Sequence, residues 1–191
     1  MASIKGTQTE KNLLAAFAGE SQARNRYTMA AKVAKQAGCE QIAALFIETA
    51  DNEKEHAKQY FNYLEGGMAE ITAEYPAGVV GDLAVHLENA ADGERAEWTE
   101  IYPGMADVAD REGFPKVAAT YRNVASVEEW HEKRYRKLLD RVKSGTTFKR
   151  ENPILWKCRE CGRIHEGAEP PEICPTCAHP RAYYEPFAEN Y

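Results

Sequence analysis

Ala50-Asp51-Asn52-Glu53-Lys54-Glu55-His56-Ala57-Lys58-Gln59-Tyr60 decides the fold, because it returns farther along the chain as Ala125-Ser126-Val127-Glu128-Glu129-Trp130-His131-Glu132-Lys133-Arg134-Tyr135. Ala, Glu, His, Lys and Tyr fall at the same offsets in both copies, and Leu64 and Leu139 extend the match. On a helix, Glu and His three residues apart share one face and can grip one metal ion together. Here Glu53 and His56 interrupt an otherwise apolar stripe of Leu45, Phe46, Thr49, Tyr60 and Leu64. Burying them without a partner would be costly, so the stripe calls for an ion or a counter-charge. Two Glu-x-x-His steps, with one more carboxylate from each of two other helices, make the ligand set of a carboxylate-bridged di-metal site in a four-helix bundle.

The remaining helices can be read on either side. Residues 7–37 form one long helix. Thr7-Gln8-Thr9-Glu10 has the form of a capping box, apolar positions recur at Leu13, Leu14, Phe17 and Ala18, and Gly38 supplies a stop. This helix carries Glu20 and, two turns on along the same face, Tyr27. A second helix is expected over 39–65, ended by Gly66-Gly67. Residues 66–80 are rich in Gly, Ala and Pro and have the length of the crossover between two helix pairs. A third helix is expected over 82–112, kinked or interrupted at Pro103-Gly104, and a fourth from Phe114-Pro115 to Lys143. Gly93-Glu94 in the third mirrors Gly19-Glu20 in the first. The spacing from Glu20 to Glu53 matches that from Glu94 to Glu128 to within a single position, so the chain holds two copies of one helical hairpin. Glu97, on the same face as Glu94, is a fifth carboxylate without a counterpart at Gln22 or Ala23. It is expected to offer one metal an alternative ligand opposite His56. Tyr27 is expected to hydrogen-bond a ligand carboxylate; Tyr102 is placed farther round its helix and given less weight.

The tail is a different object. Cys158-x-x-Cys161-Gly162 and Cys174-Pro175-x-Cys177 accompany Trp156, Tyr183, Tyr184 and Phe187, enough for a miniature core. So short a segment needs a metal to staple it. Iron and zinc both accept four thiolates; the Cys-Gly and Cys-Pro-x-Cys details favour iron, and a zinc ribbon stays open. His179 lies within reach of the cluster, whereas His86, His165 and Cys39 belong to no constellation. The expected division is a bundle at 1–145, a linker at 146–155 and the small domain at 156–191, a mainly α protein.

Composition excludes several classes. Hydrophobic residues at 43% and charged ones at 28% suit a globular chain of 191 residues. The net charge of −6 leaves neither region the basic excess of a nucleic-acid binder. The longest apolar runs fall short of a membrane span, and the N-terminus lacks the apolar core of a secretion signal, so a cytoplasmic location is expected. An odd fifth cysteine argues against a disulfide framework.

Together these motifs resemble the rubrerythrin family, a ferritin-like di-iron bundle followed by a rubredoxin-like domain, across essentially the whole chain. The resemblance implies two non-haem irons, replaceable by manganese or zinc, at Glu20, Glu53, His56, Glu94, Glu97, Glu128 and His131. It implies a third iron at Cys158, Cys161, Cys174 and Cys177. Hydrogen peroxide would be the substrate, reduced with electrons from a separate NAD(P)H-linked reductase or a rubredoxin, and Glu97, His56 and Tyr27 would be the residues at work. One iron would exchange His56 for Glu97 as the redox state changes, and a head-to-tail homodimer is expected. Iron oxidation and storage, or a zinc-ribbon binding scaffold, are the rival readings.

Overall fold

The computed structural model describes residues 3–190. Helix α1 (Gln8–Gln36) begins where the Thr7 hydroxyl accepts from the Glu10 amide at 3.1 Å. The reciprocal bond of the capping box shifts by one residue, since Glu10 accepts from the Gly6 amide at 2.8 Å. The next orphan donors, the amides of Gln8 and Thr9, are taken by Glu112 at 3.1 and 2.8 Å, which ties the start of α1 to the other hairpin. Gly38, in the left-handed region at φ 70°, turns the chain into α2 (Glu40–Phe61). That helix ends short of residue 65, because its last turn tightens and the amides of Tyr63 and Leu64 bond carbonyls three residues back. No helix or strand forms over 66–80, and Tyr75 anchors this crossover by donating to the Ala15 carbonyl at 2.6 Å.

The third expected helix is three pieces: α3 (Leu83–Ala96), a π-helical turn (Glu97–Ile101) and α4 (Tyr102–Arg111). The interruption therefore lies ahead of Pro103-Gly104, not at it. Proline has no amide to donate, and its ring collides with the carbonyl four residues back. The widened turn precedes Pro103 and takes up that misfit, with the Tyr102 amide bonding the Glu97 carbonyl five residues earlier. Helix α5 (Pro115–Lys143) follows as expected.

Two apolar cores fill the bundle, one toward each end. Phe46, Leu87, Tyr135 and Leu139 anchor one, and Leu13, Tyr60, Tyr102 and Tyr121 the other. Between them Glu20, Glu53, Glu94, Glu128 and His131 form a buried polar layer. The tail folds into an antiparallel sheet of β1 (Ile154–Cys158), β2 (Ile164–Gly167) and β3 (Tyr184–Pro186), with β1 in the centre. Strand β1 starts inside the stretch expected as linker. Trp156 is the domain's largest buried side chain, and its indole donates to the Gly167 carbonyl at 2.9 Å. The tail rests on the α1–α2 turn, where a β-carbon on Gly38 would meet Ala182 at 3.8 Å. Among the described residues, no helix is long and apolar enough to cross a membrane.

Candidate metal centres

The two Glu-x-x-His steps face each other across the polar layer. Glu20, Glu53, His56 and Glu128 form one donor group, and Glu53, Glu94, Glu128 and His131 a second; within each, the atoms lie within 4.8 Å of one another. Glu53 and Glu128 belong to both and divide their oxygens between them. Glu53 turns Oε2 to His56 Nδ1 at 2.9 Å and Oε1 to His131 Nδ1 at 3.4 Å. Glu128 turns Oε1 to His56 at 2.8 Å and Oε2 to His131 at 2.6 Å. One oxygen per group from each shared carboxylate is the arrangement of a pair of bridges between two ions.

The outer carboxylates are fixed by tyrosines. Tyr27 donates to Glu94 Oε1 and Tyr102 to Glu20 Oε1, both at 2.5 Å. Each tyrosine thus reaches across to the other hairpin's glutamate. Tyr27 performs as the sequence suggests; Tyr102 corrects the expectation, because the extra residue of the π turn swings it into the site. Its signal was present, since Tyr102 follows Tyr27 at the same interval that separates the two Glu-x-x-His steps. Tyr135 and Phe46 pack beside Tyr27, and Tyr121 and Tyr60 beside Tyr102, with ring centroids 5.0–6.0 Å apart, so both ends of the site are walled by aromatic rings.

Electrostatics ask for cations here. Burial, then Glu97, Glu53 and Glu128, push Glu20 well above the ordinary carboxylate range; burial and then Glu53 do the same to Glu94. Burial alone would favour neutral rings, yet the close carboxylates of Glu128 and Glu53 raise His56 to about 9 and, with Glu94, raise His131 to about 12. Burial opposes ionising Glu128, but both histidines together bring it down to about 2. Even so, Glu20 Oε2, Glu53 Oε1, Glu94 Oε2, both Glu128 oxygens and His131 Nδ1 have no aligned hydrogen-bond partner among the described residues. The Glu128–His131 contact at 2.6 Å brings the atoms close without the alignment of a hydrogen bond. These residues fit a pair of metal ions, and oxygen with imidazole nitrogen suits iron or manganese.

Glu97 stands outside both groups. It is half-buried and is pushed well above the usual range by burial and then by Glu94, Glu128 and Glu53. His56, with which Glu97 was expected to alternate, belongs to the first donor group.

In the tail, Cys158, Cys161, Cys174 and Cys177 converge, with Sγ–Sγ distances of 3.8 Å for Cys158–Cys177 and 3.7 Å for Cys161–Cys174. All are free thiols, as is Cys39. The Tyr184 hydroxyl is the first cause bringing Cys174 down to about 6. His179 directs Nδ1 to the Cys177 carbonyl at 3.2 Å and packs on Tyr183, so it borders the cluster without joining the four donors.

Residues 11–139 match the Rubrerythrin family, and residues 156–185 match the rubrerythrin, rubredoxin-like domain. The chain belongs to the rubrerythrin family. A rubrerythrin of Porphyromonas gingivalis is 56% identical, over 99% of this chain and 94% of its own length. One from Nitratidesulfovibrio vulgaris is 49% identical over the full length of both. Among solved structures, a partially reduced nigerythrin is similar at 29% identity and a TM-score of 0.63, covering 96% of this chain and 91% of its own. As in other rubrerythrins, a ferritin-like bundle with a metal-binding carboxylate–histidine cluster precedes a rubredoxin-like four-cysteine site.

Proposed function

We propose that this rubrerythrin reduces hydrogen peroxide to water in its bundle, with electrons entering through the four-cysteine site. The observation that carries the reading is the division of the Glu53 and Glu128 oxygens between two histidines, which suits two ions acting as one centre. Glu20, Glu53, His56 and Glu128 would hold one iron, Glu94, Glu53, Glu128 and His131 the other, and the four cysteines a third. Bound there, ferrous iron supplies the two electrons needed to split a peroxide O–O bond, and a tetrathiolate iron supplies replacements one at a time.

The chain's own residues do the rest. Tyr27 and Tyr102 each hold one oxygen of Glu94 and Glu20, leaving the other oxygen to face the centre. The aromatic walls keep bulk water from both ends of the polar layer. Glu97, whose carboxyl is held well above the usual range by burial and then by Glu94, can pass a proton to a departing oxygen. Free thiols throughout suit a reducing cytoplasm, and a separate NAD(P)H-linked reductase or a rubredoxin would feed the tail.

We further read the active unit as a head-to-tail homodimer. The tail lies against the α1–α2 turn, and the stretch of α2 from Glu40 to Glu53 spans about 20 Å at about 1.5 Å per residue. Electron tunnelling falls off exponentially with distance, so a partner's tail laid against mid-bundle would serve the centre better. Co-expressing a Cys158→Ser, Cys161→Ser chain with a Glu53→Ala, Glu128→Ala chain tests both statements. Each alone should be dead with an external donor, and the purified mixed dimer should regain donor-supported peroxide reduction. Mixed dimers that stay dead with their remaining sites iron-loaded would refute transfer between chains. A wild-type chain that is loaded with iron and reduced, yet consumes no peroxide, would refute the activity itself.

A further inference from the structure

Gly19 and Gly93 stand at matching places, each just ahead of an outer glutamate, and what lies over them differs. A β-carbon on Gly19 would meet the Tyr75 ring of the crossover at 3.6 Å, and that ring is pinned by its bond to the Ala15 carbonyl. A β-carbon on Gly93 would instead meet an amino nitrogen of Arg26, at 3.9 Å. This guanidinium is held from one side: Nε donates to Gln22 Oε1 at 2.6 Å, its one hydrogen bond among the described residues. A guanidinium only donates, so both amino groups of Arg26 are open to an acceptor from outside the chain. Beside it lies a cavity of about 120 Å³ between α1, α3 and the crossover. Its outer rim is Met29, 62% exposed, and its inner wall is the buried ring of Tyr27, whose hydroxyl holds Glu94. Glu97 follows Gly93 by one turn on the same face, so Arg26 reaches the part of α3 that leads to both carboxylates. A water molecule takes about 30 Å³ of liquid, so the cavity has room for about four molecules of that size.

We propose that the seam between α1 and α3 is the way by which peroxide enters the bundle, and that Arg26 binds it at the inner end. Peroxide oxygens carry lone pairs, and a charged donor makes a stronger hydrogen bond to them than a neutral one. Most of the lining is apolar, with Ala30, Val79 and Ala90 around the cavity, and the Tyr27 hydroxyl is already committed to Glu94. A guest that needs hydrogen bonds therefore finds them at Arg26 and His86. The bond to Gln22 keeps the guanidinium in place, and the missing side chain at Gly93 leaves it the space to lie against α3. At the other end the Tyr75 ring covers Gly19 where Arg26 covers Gly93, which puts the entry on the side of Glu97, the proposed proton donor. The inference rests on reading the bundle as a peroxide-reducing iron centre.

The experiment mixes the full-length, iron-loaded, reduced chain rapidly with peroxide and follows oxidation of the bundle against peroxide concentration. Arg26→Ala should lower the second-order rate constant by about 10-fold at equal iron content, the worth of one hydrogen bond from a charged group. Arg26→Lys, which keeps the charge, should lose less. Val79→Trp fills the cavity from the crossover and Met29→Trp narrows its exposed rim, and both should slow peroxide as well. Nitric oxide binding to the ferrous bundle, followed by its visible spectrum, is a readout independent of turnover. The two tryptophan variants should slow it, whereas Arg26→Ala should not, because this ligand needs the passage and not the guanidinium. Thr72→Trp, elsewhere on the crossover, should slow neither reagent. An unchanged peroxide rate in Arg26→Ala overturns the role of Arg26, and nitric oxide that enters both tryptophan variants at the wild-type rate overturns the route. Should the loaded wild-type chain leave peroxide untouched, the activity reading falls separately, and nitric oxide entry still decides the route.

Discussion

The first hairpin of the bundle, α1 with α2, and the second, α3 through α5, put the same side chains around the centre and differ by one residue. Tyr27, Glu53, His56 and Tyr60 recur at one common offset as Tyr102, Glu128, His131 and Tyr135, while Gly19 and Glu20 recur one position short of it as Gly93 and Glu94. The additional residue is housed in the π turn, Glu97–Ile101. Glu97 occupies the place that buried Ala23 has in the first hairpin. A π turn widens the helix and commonly marks a functional site. Here the widening sits where a carboxylate replaces a methyl group, beside a face that the first hairpin packs with alanine. Duplication explains the ligand set, and the single insertion explains why its two ends are unequal.

Breaking what the hairpins share should cost most. Glu128 gives an oxygen to each donor group, so Glu128→Ala removes a ligand from both sides at once. Metal analysis should show both bundle ions lost or labile, and peroxide turnover should fall below detection. Losses of about 10–100-fold accompany removal of outer partners alone, so a variant retaining two firmly held ions would contradict the assignment of Glu128 as a bridge.

Removing what the hairpins do not share should cost less and cost it differently. Glu97→Ala makes the second hairpin chemically like the first. Since Glu97 lies outside both donor groups, two metals should still bind, while turnover should drop by about 100-fold, the lower range of a general acid's contribution. Equal turnover at equal metal content would strip Glu97 of any part in the chemistry. Tyr27→Phe and Tyr102→Phe probe the symmetry itself. Each frees one oxygen of an outer glutamate and should weaken metal binding about 10-fold. Matching losses would mean that the π turn leaves the tyrosine pair equivalent. A much larger loss for Tyr102→Phe would put the asymmetry in the ligand cage as well as in Glu97.

Much of this was legible beforehand, for a physical reason. A Glu and a His inside an apolar stripe must be buried together, so helical spacing alone gives the face, the partner and the need for a cation. The four cysteines were as readable, since so short a tail can fold around little else. What escaped was the π turn. Its cause, Pro103, was visible, but a proline constrains the turn before it, and the chain widens at Glu97–Ile101 instead of bending at Pro103-Gly104. Counting ordinary helical turns across that widening placed Tyr102 on the wrong side, whereas the offset between the two repeats would have placed it correctly.

The smallest effect concerns the bundle without its metals. Glu20, Glu94 and Glu97 are raised well above the ordinary carboxylate range, burial being the first cause for each. The folded chain therefore holds protons that the unfolded chain has released, and stability falls as pH climbs above that range. His56, raised to about 9, adds stability that is full below the ordinary imidazole value and is lost as pH rises through about 9. His131, raised to about 12, acts in the same direction at higher pH. Glu128, lowered to about 2, opposes them: its contribution is present above the ordinary carboxylate value and fades as pH falls toward 2. The metal-free chain should accordingly melt at the highest temperature in mild acid and a few degrees lower in mild alkali. Metal ions supply the positive charge that protons otherwise provide, so loading should flatten or reverse that slope by binding most tightly where the carboxylates are ionised. Thermal melts from pH 5 to 9, with and without chelator, measure it. A metal-free chain that becomes steadily more stable toward pH 9 would show that the buried carboxylates are ionised and relieved by something other than the two histidines.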